Sequence, residues 1–150
     1  MTTSTATAST TSATTGQRVS LRTALTTGAV AGVIAAVINA VIATVARSAF
    51  DVSDDFQPLT PGPIVMWTIL GALIGAAGWR LFVNKGAGSR ALLNKLVPVV
   101  VVLSFIPDVL LLATDAMPGT STAAVLSLMA MHVITAGIVV SAYRRTMPTR

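Results

Sequence analysis

Cysteine and glutamate are absent from this 150-residue chain, histidine occurs once, and charged residues make up only 10%. Without cysteine there are no disulfides, no thiolate metal sites and no thiol redox chemistry. One histidine and five aspartates leave little for metal ligation or acid–base work, so neither a metal site nor a cofactor is expected. A lone histidine cannot supply both axial ligands of a haem within one chain, and Met129 or Met131 as the second ligand is a weak alternative. No phosphate-binding glycine loop follows a strand, and no serine stands in a nucleophile motif. An enzyme is therefore not expected. Soluble domains carry about a quarter charged residues, so the shortage of charge also excludes an ordinary soluble globular fold.

Apolar sequence fills the space instead. Hydrophobic residues make up 53% of the chain and mean hydropathy is +0.80. Four segments stand out, at about 24–46, 63–83, 96–114 and 122–143. Roughly 20 helical residues cross a hydrocarbon core about 30 Å thick, so each is long enough to span. The fold class expected is all-α, a transmembrane four-helix bundle over residues 18–146. The first span follows Arg18 and Arg22, as a signal peptide would. Its apolar run is about twice the usual signal length and lacks a good cleavage site, so it is read as a retained helix. Residues 1–17, nearly all Thr, Ser and Ala, have no apolar period and are read as a disordered tail. Residues 147–150 form a short basic end.

The net charge of +5 and pI near 11.2 would suit nucleic acid if the basic residues were clustered. They flank apolar segments instead, and nucleic-acid binding is not expected. Nine of the ten, Arg18, Arg22, Arg80, Lys85, Arg90, Lys95, Arg144, Arg145 and Arg150, fall on the N-terminal flank, the second loop and the C-terminus. The first and third loops hold only Arg47, beside Asp51, Asp54, Asp55 and Asp115. The positive-inside rule then places both termini in the cytoplasm of a plasma-membrane protein whose main partner is the lipid bilayer. Asn84–Lys95 reads as a basic loop, Asp115–Ser121 as a tight turn, and Trp79, Arg80 and Tyr143 as interfacial residues.

Small residues recur at every fourth position in span one, at Gly28, Gly32, Ala36 and Ala40, and in span two at Gly71 and Gly75. Helices in lipid gain little from hydrophobic drive, so close backbone approach supplies much of their contact. Packing within the chain is the simpler use of these faces, and a homo-oligomer is the alternative.

The third span, LVPVVVVLSFIPDVLLLAT, places Pro107 and Asp108 inside an apolar run. A carboxylate there is costly, so the other helices are expected to be arranged around this span. By helical rise, Asp108 lies roughly 12 Å from the outer end, His132 roughly 15 Å, Asn39 about 10 Å, and Thr68 and Ser127 about 8 Å. Ser104 shares a helical face with Asp108. Asn39, Thr68, Ser104, Asp108, Ser127 and His132 form a candidate intramembrane polar cluster in the outer half. A direct Asp108–His132 contact is expected across spans three and four. The cluster either locks the helices in register or marks a proton or solute path, the first reading being preferred. A structural or accessory membrane protein is the leading expectation. A proton-coupled carrier or channel using Asp108 and His132 is the alternative, and a small-ligand or lipid-binding module with an outer-leaflet cavity is the third.

Asn39 in the run VINAVIATVAR, Ser104, Pro107 and Asp108 in SFIPD, and Met131-His132 in the last span are similar to an actinobacterial family of small four-helix membrane proteins. That family is catalogued as domain of unknown function 6069. The resemblance covers roughly Arg18 to Arg145 and implies the four-helix architecture, with no assigned activity. Small multidrug transporters resemble the chain less, because their coupling residue is a first-helix glutamate and this chain has none.

Overall fold

The computed structural model describes residues 18–149. The N-terminal tail read as disordered and Arg150 of the basic end lie outside the described residues. Four helices follow in order: α1 (Leu21–Phe50), α2 (Pro61–Asn84), α3 (Ser89–Thr114) and α4 (Thr122–Thr146), with one 3-10 turn at Gln57–Leu59. All four are long and apolar enough to cross a membrane, which fits a bundle in a multi-pass membrane protein.

Local chemistry sets the helix ends. Ser20 accepts from the Thr23 N–H at 3.0 Å and Ser121 from the Ala124 N–H at 3.2 Å, each satisfying a donor that has no intrahelical partner. Pro61 opens α2, where its missing N–H costs nothing. Asp51 and Asp115 end α1 and α3 in left-handed conformation, at φ 49° and 50°. The basic connection is shorter than the twelve residues read as a loop. Gly86 and Gly88, at φ +91° and +85°, turn the chain at once, and 89–95 is already helical, with Leu93 buried.

α1 packs along α2 and α4, whereas α3 lies chiefly on α4. Within its most apolar window α1 is 39% buried and α3 only 6%. The expectation that the other helices gather around the third span is therefore overturned. α3 buries Ser89, Leu93 and Asp108, while most of its other valines and leucines, such as Val100, Val102, Leu103, Val109 and Leu110, are exposed.

The small-residue faces explain why α1 is central. A Cβ on Gly28 would lie 2.9 Å from Ala76 Cβ, and one on Gly32 would lie 3.1 Å from Ala72 Cβ. These glycines let two backbones meet within the chain. Ala36 is also buried, but Ala40 is exposed. A four-residue step overshoots one helical turn by about 40°, so three steps from Gly28 carry the stripe off the contact. The buried face continues instead through Ala35, Asn39, Ala43 and Ala46. On α2 the packing residues are Ala72 and Ala76; Gly71 and Gly75 sit one position, about 100°, around the helix. Gly71 has nothing near it, and Gly75 leaves room for the Tyr143 hydroxyl.

Two apolar clusters result. At the basic end Trp79, Tyr143 and Met147 pack with Ala24, Ala72, Ala76 and Leu93. Trp79 and Tyr143 are thus core residues and not lipid-interface anchors. Trp79 Nε1 donates to the Met147 carbonyl at 3.0 Å, and the Tyr143 hydroxyl donates to the Ala72 carbonyl. Arg80 reaches the Val19 carbonyl at 3.0 Å. At the acidic end Phe56 and Leu59 fold under the first loop onto Ala43, Ala124 and Leu128. Arg47 steadies that loop by bonding the Leu59 carbonyl and pairing with Asp54 at 3.0 Å.

Candidate functional site

Between the two clusters lies Asn39, 3% exposed on the inner face of α1. Its side-chain amide donates to Thr68 Oγ of α2 at 3.0 Å and to Thr135 Oγ of α4 at 2.9 Å. One side chain thus joins three helices at a single level. The geometry follows from helix phase: Asn39 lies eleven residues after Gly28, close to three full turns. It therefore shares the face that meets α2 and α4. Its carbonyl oxygen Oδ1 is buried without a hydrogen-bond partner.

A second polar group sits between α3 and α4. Asp108 is 4% exposed, and its Oδ2 lies 3.2 Å from His132 Nδ1. The same Nδ1 lies 2.8 Å from the Leu128 carbonyl. A carbonyl oxygen only accepts, so a hydrogen bond there needs the hydrogen on Nδ1. The imidazole is held edge-on to Phe105, with centroids 6.3 Å apart and planes at 85°. Asp108 Oδ2 is buried and makes no hydrogen bond of good geometry. Pro107 has no N–H to give the carbonyl one turn back, that of Leu103.

The six residues read as one cluster therefore divide. Asn39 and Thr68 belong to the first group, which also recruits Thr135. Asp108 and His132 form the second. Ser104 bonds the Val101 carbonyl at 2.6 Å and Ser127 the Ala123 carbonyl at 2.7 Å, so both serve their own helices. Among the described residues, no hydrogen bond links the two groups. Thr135 was missed because threonine is common here and often bonds its own helix. Its one signal is position, three residues beyond His132. Among the described residues, no group of three or more His, Asp or Glu stands together to hold a metal.

The arrangement can do two things. The Asn39 group can fix the register of α1, α2 and α4. The Asp108–His132 pair can hold α3 against α4 through their 3.2 Å contact.

Residues 19–149 match the family described as Family of unknown function (DUF6069). The chain belongs to that family. The matched region takes in all four helices and both polar groups. No curated protein and no solved structure matches the chain. The family description names no activity, so the chemistry rests on the geometry above.

Proposed function

We propose that this protein is a multi-pass component of a bacterial plasma membrane, both termini cytoplasmic, whose role is structural or accessory and not enzymatic. The observation that carries the role is the Asn39 node, whose amide donors are both spent on hydroxyls of neighbouring helices. Apolar clusters lie on either side of it. Hydrogen bonds of this kind contribute about 0.6 kcal/mol each in membrane helices, modest energy but strong register information. The orientation rests on charge, with eight of the nine described basic residues at one end of the bundle. The bias to arginine over lysine supports a high-GC bacterial source. A homo-oligomer would have to use outward faces such as that of Gly71, since Gly28 and Gly32 are occupied within the chain.

A cysteine-free chain suits site-directed labelling. With single cysteines at Asp55→Cys and Pro148→Cys, a membrane-impermeant maleimide should label position 55 in intact cells. Position 148 should react only after permeabilisation. The reverse pattern overturns the orientation.

One observation favours a second reading, a proton-coupled carrier: the buried Asp108 oxygen without a hydrogen bond, 3.2 Å from His132. In reconstituted vesicles the structural reading expects no proton flux above that of lipid alone. A flux abolished by Asp108→Asn would replace it with the carrier.

A further inference from the structure

The basic end of the bundle has a groove on its lipid side. It measures about 630 Å³ and runs between α1 and α4. Val30 and Ile34 of α1 and Gly137 and Ile138 of α4 form its walls, with Ser141 and Arg145 nearer the membrane surface. Gly137 to Arg145 is two turns of α4 and more, so the groove is about 12 Å long. Thr27 and Thr146 line its basic end, where a 3.1 Å hydrogen bond between them ties the two helices.

Two features say what fills it. Its walls are apolar and open toward hydrocarbon, so water gains no partners along most of its length. Its upper end is cationic and unsatisfied. Arg144 is held by Asn94 at 3.0 Å, Arg80 by the Val19 carbonyl and Arg90 by Thr149. The Arg145 side chain, like those of Arg22 and Lys95, has no hydrogen-bond or ion-pair partner among the described residues. Of these three it alone lines the groove, and the Ser141 hydroxyl one turn below it has no partner either. No acidic residue lines the groove. Asp51, Asp54, Asp55 and Asp115 lie in loops at the other end of the helices. An unpaired guanidinium above a hydroxyl, capping an apolar trough at headgroup level, matches one chemistry: a phosphate diester with an acyl chain beneath it.

We infer that this groove binds one anionic phospholipid, its phosphate on Arg145 and Ser141 and an acyl chain along Val30, Ile34 and Ile138. The site lies at the opposite end from the outer-leaflet cavity that the sequence suggested. It is independent of which end faces the cytoplasm, because either placement leaves Arg145 at a headgroup surface. Failure of the labelling experiment above would therefore leave it untouched.

Native mass spectrometry of the full chain, released from mixed phosphatidylglycerol and phosphatidylcholine micelles, is the test. Phosphatidylglycerol should be retained in preference to phosphatidylcholine. Arg145→Gln should reduce that preference about five-fold, the size expected for one cation at a lipid surface, and Arg145→Lys should largely keep it. Arg22→Gln, at the same end but outside the groove, should change it little. Gly137→Leu should lower retention of both lipids. A Cβ at Gly137 meets nothing within 4 Å, so that variant fills the groove without displacing backbone; an unchanged helical spectrum would verify it. Equal retention of the two lipids, an Arg22→Gln effect as large as that of Arg145→Gln, or full retention by Gly137→Leu would each overturn the site. So would an efficient disulfide dimer of Gly137→Cys in membranes, which would make the occupant a second copy.

Discussion

A methyl group at Gly28 would sit 2.9 Å from Ala76 Cβ and 3.0 Å from the Ala72 carbonyl oxygen. Neither neighbour is the free end of a flexible chain, so α1 and α2 would have to separate. Gly28→Ala should cost about 1–3 kcal/mol, as overpacking does, when unfolding in graded SDS is followed by Trp79 fluorescence. Gly71→Ala adds its methyl to open space and should change stability by less than about 0.5 kcal/mol. Equal losses at the two sites would remove the assignment of the contact face. The α1 half of that face was legible, because its apolar, small and polar residues segregate with helical period. The α2 half was not. Alanine is small enough to pack closely, and spacing cannot tell an inward Ala72 from an outward Gly71 one position away. Asp108 and His132 were legible because their types are rare in lipid, while Thr135 was hidden among many threonines.

At the scale of elements, α3 is joined to α4 by a pair of ionisable side chains within the spanning segments. Asp108 Oδ2 and His132 Nδ1 are 3.2 Å apart, and neither group has another side chain as hydrogen-bond partner among the described residues. Replacing either one should therefore remove most of what the other contributes. In a cycle of Asp108→Asn, His132→Ala and the double variant, a coupling of about 0.5–3 kcal/mol is expected for residues in contact. Strictly additive losses would mean the contact carries no energy. The antiparallel pairing behind this contact followed from the short turn between spans three and four. The first loop was less transparent. Its prolines and aspartates marked it as a connection, but nothing in spacing said that Phe56 and Leu59 would fold under it to become fully buried. Gly119 at φ +73° brings the third loop against Ser53 and Phe56, a contact between segments about sixty residues apart that has no local signature.

For the whole molecule, hydropathy proved a poor guide to which helix is central. The best windows of α1 and α3 have mean hydropathy 2.4 and 2.5, yet their burial is 39% and 6%. In water an apolar helix must be covered by protein; in lipid the solvent is itself apolar, so apolarity says only that a segment spans. What selects the centre is smallness, and α1 carries the alanines and glycines while α3 carries valine and leucine. α3 therefore hangs on a compact α1–α2–α4 unit. Pro98 and Pro107 also interrupt its backbone ladder. If packing governs order of loss, α3 should release first. Single reporters Leu93→Cys on α3 and Ala24→Cys on α1, both buried in the native chain, can be pulse-labelled along an SDS titration. The α3 reporter should become reactive at lower SDS fraction than the α1 reporter. Coincident midpoints would show that Asp108–His132 and the α4 contact bind α3 as firmly as the glycine face binds α1 to α2, and the molecule would then unfold as one unit.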